Sequence, residues 1–474
     1  MKVLLINPPT SREQIYGNWD LSSVDTFCPP LGLLYIASLL RKHGHVPKVV
    51  DVPARKWSLE DTIKYIMQEN PDIVGISAMT INALNANAIA KALKKNSIRA
   101  PIVFGGPHIT AVPLETMKRF PSFDVGVLGE GEMTFLELTN QIESGKPLDA
   151  VQGIVWRNEF GEPVINSPRP FITDLDALPL PAWDLLPNFP EAYPHSALEA
   201  KRQPAASIIT SRGCPHHCTF CDRAVFGTKV RHHSANYTLE MLRHLKHNYA
   251  VKDIMFLDDN FLINRTKLFS ICDTMVREKM DFTWYCISHA EFITEDRVAR
   301  IRDAGCWIME VGIESGSERI LRLLNRNTPK PEIAAAIKRA RTAGIRVKGN
   351  FIFGLPTETK ATLQESIGFA LSTELSLFQQ TFLTLWPGCE LSVRASEYGE
   401  TESDWEKLTH YQISFVPNGL SREDLLKAST EAFRRFYLRP RIIVETIGTL
   451  TSWRSVKAAV KGFITFLKTA FRAK

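Results

Sequence analysis

Short runs of β-branched and leucine residues recur from the N-terminus. Stretches with apolar positions three and four apart fall between them. Residues 3–7, 46–52, 72–77, 101–104 and 124–128 read as strands, with helices at 31–40, 84–94 and 132–142. This alternation implies a parallel, doubly wound (Rossmann-like) sheet, whose ligands lie beyond the carboxyl ends of the strands. Residues 146–200 are proline-rich and predict a connector with one hairpin at 153–165. The strand pattern resumes at 206–210, 254–257, 282–288, 307–313, 347–353 and 381–386. Six such parallel strands with intervening helices predict an open (β/α)6 barrel, with its chemistry at the strand C-termini. Beyond residue 400 the pattern is helical, at 404–409, 422–439 and in the tail. The expected organisation is therefore α/β, with units at 1–145, 146–200, 201–400 and 401–474.

Composition adds limits. The 474 residues are 44% hydrophobic and 23% charged, ordinary for a globular protein of several domains. No apolar run reaches the roughly 18 residues that a membrane span needs, and the first apolar run is too short for a signal peptide. Eight cysteines, three of them in one loop, fit a reducing cytoplasmic setting and not a disulfide framework. The net charge of +6 is concentrated at the C-terminus. From residue 434 onward there are ten Lys or Arg and one acidic residue, Glu445, a net of +9 that leaves −3 elsewhere. No basic stripe runs along the chain, so nucleic acid is not an expected partner. Trp453, Val456, Val460, Phe463, Leu467 and Ala470 in the tail recur at helical spacing, beside Arg454, Lys457, Lys461, Lys468 and Arg472. That pattern suits peripheral contact with the inner face of a membrane, or a terminal helix packed on the barrel with a solvated basic face.

The chemistry centres on Ser211-Arg-Gly-Cys-Pro-His-His-Cys-Thr-Phe-Cys-Asp222. Cys214, Cys218 and Cys221 have the spacing C-x3-C-x2-C, which suits a soft metal centre. A four-iron cubane takes four thiolates, so a loop with three leaves one iron open. The same loop could build a zinc site by recruiting His216, His217, His232 or His233. Further candidates stand at the expected strand ends. In the first unit these are Pro8, Ser77, Thr80, Gly105, Gly106, His108, Gly129 and Glu130. In the second they are Asp258, Asp259, Asn260, His289, Glu314, Ser315, Asn350 and Gly354. The glycine loops taken alone could be tight turns, and none is a dinucleotide fingerprint.

The cysteine loop, with aromatic Phe220 before its third cysteine, resembles the signature of the radical S-adenosylmethionine (SAM) superfamily. That resemblance implies a 4Fe–4S cluster on Cys214, Cys218 and Cys221, with SAM chelating the open iron and cleaved to a 5′-deoxyadenosyl radical. Asp258, Asp259 and Asn260 then take the position that contacts the SAM amino group. Glu314, followed by Ser315 at the fourth strand end, resembles the residue that hydrogen-bonds SAM, and Gly354 lies where backbone meets the adenine. His289 stands where relatives carry arginine. Asn-Pro-Pro at 7–9, Ile-Ser at 76–77, Gly-Gly-Pro-His at 105–108 and Gly-Glu-Gly-Glu at 129–132 resemble the cobalamin-binding domain of a branch of that superfamily. There is no D-x-H-x-x-G, so His108 is expected to make a hydrogen bond and not to ligate cobalt.

Such a pairing of cofactors implies a methyltransferase acting on an unactivated sp3 carbon, supplied with electrons by a flavodoxin or ferredoxin. The length and compact N-terminus resemble the hopanoid-modifying branch, which implies a hydrophobic lipid substrate and C-3 methylation. The alternatives are oxidative cyclisation of a magnesium-protoporphyrin monomethyl ester, a hopanoid side-chain reaction, or a non-catalytic cobalamin or redox sensor.

Overall fold

The computed structural model describes residues 1–16, 26–402, 404–448, 456–457 and 460. The first sheet is built on β1 (Lys2–Asn7), whose interior residues are all buried, as expected for a strand covered on both faces. It pairs in parallel with β2 (Val46–Asp51) on one side and β3 (Ile73–Ser77) on the other. β4 (Ile102–Gly105) and β5 (Val125–Val127) continue the parallel ladder. The hairpin of β6 (Ile154–Arg157) and β7 (Pro163–Ile165) then closes the edge in antiparallel fashion, giving the order β2-β1-β3-β4-β5-β6-β7. The order reverses at β1 and β3, and a crevice opens at the carboxyl ends there. The helices at Leu31–Lys42 and Gly131–Glu143 match the expected positions. The helix at Leu59–Glu69 was not among the expected ones; Ser58 and Asp61 cap it reciprocally.

β8 (Ala205–Ile208) leads into β9 (Ser211–Arg212), which pairs with β10 (Arg231–His232) and holds the cysteine loop between them. β11 (Asp253–Phe256), β12 (Thr283–Ser288), β13 (Cys306–Glu314), β14 (Arg346–Phe353) and β15 (Leu377–Phe382) complete a six-stranded parallel sheet. Its order is β15-β14-β13-β12-β11-β8. The outer strands β8 and β15 do not pair, which makes this the open barrel the pattern predicts. Five strands fall within two residues of expectation. The sixth begins four residues before the apolar run at 381–386, because Gln379 and Gln380 interrupt its hydrophobic pattern.

The helix Arg422–Tyr437, capped by Ser421, lies against β15, with Phe436 stacked on Phe378 at 5.4 Å. The helix expected at 404–409 is a single turn, Trp405–Lys407. Its Trp405 packs edge-on against His108 at 4.3 Å, so the C-terminal region braces the first sheet. Most of the amphipathic tail lies outside the described residues. Among those described, no helix is long and apolar enough to cross a membrane.

Candidate active site

A cavity of about 300 Å³ opens where the carboxyl ends of the first sheet face the cysteine loop. Of the first-unit candidates, Ser77, Gly105, Gly106, Gly129 and Glu130 line it. Ile209, Arg212, Val225 and Phe226 line it from the barrel, so both units share one space. The cavity runs inward between Leu5, Val103 and Phe135. At Gly75 a Cβ would come within 2.8 Å of the Phe135 ring, so glycine keeps this slot open. At Gly106 φ is +100°, and a Cβ would lie 2.7 Å from the Ala78 carbonyl oxygen. His108 stands behind the rim. Its ring is fully buried, Nδ1 lies 3.2 Å from the Thr80 hydroxyl, and burial lowers its pKa to about 4.

Beneath the rim, Arg212 bonds Glu130 at 2.9 Å and Glu132 at 2.5 Å, and Arg231 bonds Glu130 at 2.8 Å. All four side chains are at least nine-tenths buried. Charges this deep persist only when paired, and here the pairing ties the glycine rim to the strand that enters the cysteine loop.

That loop is held from several sides. Gly213 adopts φ +88°, where a Cβ would approach the Lys229 carbonyl oxygen to 2.6 Å. The Cys214 amide donates to Gly227 O at 3.4 Å, and the Thr219 amide to Leu324 O at 3.2 Å. Cys214, Cys218 and Cys221 are all free thiols. Burial, followed by the Asp259 carboxylate and the other two thiols, pushes Cys221 up to about 12. Burial also raises Cys214. Arg326 places Nη1 3.7 Å from the Cys218 sulfur and pairs with Glu314 at 3.4 Å. Phe220 joins the apolar cluster that includes Ile352.

At the strand ends, Asp258 is spent on the fold: it accepts from the Thr210 amide and hydroxyl and from Ser211. Asp259 carries no hydrogen bond among the described residues, and burial raises its pKa. Asn260 accepts from Ser288 at 3.0 Å and leaves Nδ2 buried without a partner. His289 is buried with Nδ1 lacking a hydrogen bond, and its ring stacks on His216 at 4.1 Å. Burial, then Arg326 and His216, lowers its pKa to about 3. The Glu291 carboxylate lies 3.1 Å from His216 and 3.7 Å from His289. Glu314 adopts φ +67° beside a bulge in β13, the kind of strained backbone that collects at functional sites. Ser315 bonds Ser366, away from the cavity. The Gly354 amide donates to Glu358 at 2.6 Å.

These observations fit the expected groups. A glycine rim over a deep apolar slot suits a large planar macrocycle with an apolar appendage. Three adjacent free thiols suit an iron–sulfur cluster, and the unpartnered Asn260 Nδ2 and His289 Nδ1 suit a polar ligand beside it. Among the described residues the cysteine loop does not gather a zinc set with His216 or His233: His233 lies between Tyr35 and Tyr237, and His216 groups instead with His289 and Glu291, their ligand atoms within 4.8 Å of one another. Glu132 lies in the Gly-Glu-Gly-Glu run at 129–132 and Arg212 in the cysteine stretch 211–222, whereas no motif marks Arg326 or Phe226.

Comparison with known proteins supplies the context. Residues 19–139 match the B12 binding domain and residues 208–370 the radical SAM superfamily. The chain is 33% identical to an uncharacterized methyltransferase of Pyrococcus horikoshii, over 98% of each chain. It is 26% identical to the anaerobic magnesium-protoporphyrin IX monomethyl ester cyclase of Rubrivivax gelatinosus, over 92% of this chain and 78% of the other. With the hopanoid C-2 methylase of Rhodopseudomonas palustris it shares 24%, over 81% and 67%. Its fold matches that of the radical SAM methyltransferase TsrM of Kitasatospora setae with a TM-score of 0.75 at 16% identity, covering 100% of this chain and 99% of the other.

Proposed function

The chain belongs to the cobalamin-dependent radical SAM enzymes, and from that premise we propose that it transfers a methyl group to an unactivated sp3 carbon of an isoprenoid lipid, specifically a hopanoid at C-3. Its cofactors are a 4Fe–4S cluster, SAM and cobalamin. The observation that carries the reading is the shared cavity, in which the glycine rim and the cysteine-loop side meet across one space. When bound, the cluster with SAM supplies hydrogen abstraction, and cobalamin supplies the methyl group.

The chain's own part is holding and shielding. Cys214, Cys218 and Cys221 would hold the cluster. Asp259, Asn260, His289 and Glu314 would receive SAM, and Ser77, Gly105, Gly106 and Gly129 would seat cobalamin. Arg212 fixes the rim relative to the loop. The apolar lining keeps water from the reacting carbon. No acid–base pair is required, because the bond to be broken is not ionised. A low-potential flavodoxin or ferredoxin would supply electrons, and the basic tail would bring the enzyme to the membrane where its substrate lies. Similarity to the hopanoid methylase supports the lipid, as do the apolar Leu257 and Ile287 inside the barrel.

A second reading, oxidative ring closure of a tetrapyrrole, is favoured by the cyclase relative, which aligns over more of the chain. One experiment separates them. The gene is expressed at low oxygen in a hopanoid-making host fed methyl-deuterated methionine, and the lipids are read by mass spectrometry. A hopanoid with the deuterated methyl on ring carbon C-3 is expected. An altered tetrapyrrole without label would establish ring closure, and unchanged lipids would remove the hopanoid assignment.

A further inference from the structure

Side chains alternate along the barrel strands, and their exposure shows which face is open. Ile287, Glu310, Gly312, Asn350, Ile352 and Gln379 are half-buried, while the residues beside them in sequence are buried or end the strand. Strands this central have no other reason for a period of two in exposure, so solvent reaches the barrel interior at these positions. The interior has two unlike walls. Leu257 and Ile287 make one side apolar. Opposite them, β14 and β15 bring Asn350 and Gln379 into direct register.

The state of those two carboxamides is specific. The Asn350 amino group donates to Glu310, which leaves Oδ1 as its remaining atom, buried and without a partner. The Gln379 side chain makes no hydrogen bond among the described residues. A buried amide oxygen left unpaired costs about 1–3 kcal/mol, a cost that a ligand's donor would remove. The cations on this wall are already paired. Lys348 lies between Glu310 at 2.8 Å and Glu199 at 3.0 Å, and Arg346 is bonded to Glu445 at 3.3 Å. Among the described residues, no cation on this wall is left to receive a carboxylate or phosphate.

We propose that Asn350 and Gln379 form the substrate-recognition element of the barrel, and that the substrate carries a neutral hydroxyl or amide whose O–H or N–H donates to Asn350 Oδ1. The proposal rests on the reading of the chain as an enzyme whose substrate enters the barrel, and it narrows the lipid to one bearing an alcohol or amide. A hydrocarbon would leave both carboxamides unpaired.

The test measures release of 5′-deoxyadenosine by the reconstituted full-length enzyme, because this readout does not depend on methyl transfer. Host lipid extract is divided into hydrocarbon, neutral alcohol-and-amide, and acidic fractions, and each is added with SAM. The alcohol-and-amide fraction should stimulate release. In Gln379→Leu, which loses no hydrogen bond within the protein, the fraction concentration for half-stimulation should rise about tenfold, with SAM affinity by equilibrium dialysis unchanged. Asn350→Leu should do the same, and Asn350→Gln should restore part of the response by keeping both an amide donor for Glu310 and an acceptor. Stimulation by the hydrocarbon or acidic fraction would overturn the proposal. So would equal rates with every fraction, a wild-type response in both leucine variants, or a loss confined to SAM binding. Failure of the methyl-transfer reading would instead appear as stimulated release without label in the lipid.

Discussion

Cys218 differs from the other two thiols in having a guanidinium at its sulfur. Hydrogen bonds and positive charge at a cluster's sulfurs favour the reduced form. Arg326→Met should therefore retain the cluster but lower its reduction potential by about 40 mV, equivalent to roughly 1 kcal/mol for one electron, as read by a redox titration followed by electron paramagnetic resonance. Alanine at Cys214, Cys218 or Cys221 should instead abolish the cluster and reduce turnover at least about 100-fold, while cobalamin still binds as judged by its visible spectrum. The three cysteines were legible because their spacing is itself the signal. Arg326 was not, since it reaches Cys218 from the turn after the helix Glu318–Leu323, 108 positions away, and no local pattern encodes that approach. Asp258 shows the opposite limit. It stands at the expected strand end, yet its oxygens are occupied by Thr210 and Ser211. Position in sequence located the residue but could not reveal that its carboxylate is spent on the fold.

Elements were more legible than their uses. Parallel strands covered on both faces are nearly continuous apolar runs, which is why β1 to β5 could be placed. β15 was misplaced by four residues because its interior face is polar, and that face is the one carrying Gln379. The carboxyl end of β4 allows a prediction about cobalamin. A Cβ at Gly105 would meet nothing within 4 Å, and its φ is not positive. Gly105→Leu should fold normally but obstruct the cavity mouth, weakening cobalamin binding at least about tenfold, measured by spectroscopic titration. The turn after β14 gives a pH effect. Glu358 is fully buried, and burial raises it from 4.5 to about 8 against the two backbone amides that it accepts. The folded protein thus holds a proton that the unfolded chain releases, so this group's contribution to stability falls as pH rises from 4.5 to about 8. Glu358→Gln mimics the protonated form. Its melting temperature should match the wild type near the lower limit and exceed it by about 4 °C at the upper one, measured by calorimetry across the range.

At the scale of the molecule, the two sheets are joined by the buried Arg212, Arg231, Glu130 and Glu132, and by Gly388, where a Cβ would come within 3.0 Å of Ala111. Removing one partner from such a network costs about 3–5 kcal/mol. Glu130→Ala should accordingly divide a single thermal transition into two, one for each sheet, in a calorimetric scan. Nothing in the sequence foretold this junction, because both acids and both arginines read as strand-end or loop residues until the units are brought together.

The barrel also has a floor. Met255, Tyr285, Ile308 and Leu377 form a buried layer across its lower end, so the interior is closed there and opens toward the strand ends where the cysteine loop stands. Substrate and SAM that pass the same mouth obey a queue: what enters first leaves last. The lipid must descend before SAM takes its place at the mouth, and the altered lipid must wait for the spent nucleoside to depart. Steady-state kinetics should therefore be ordered, with excess SAM slowing the reaction by stoppering an empty well.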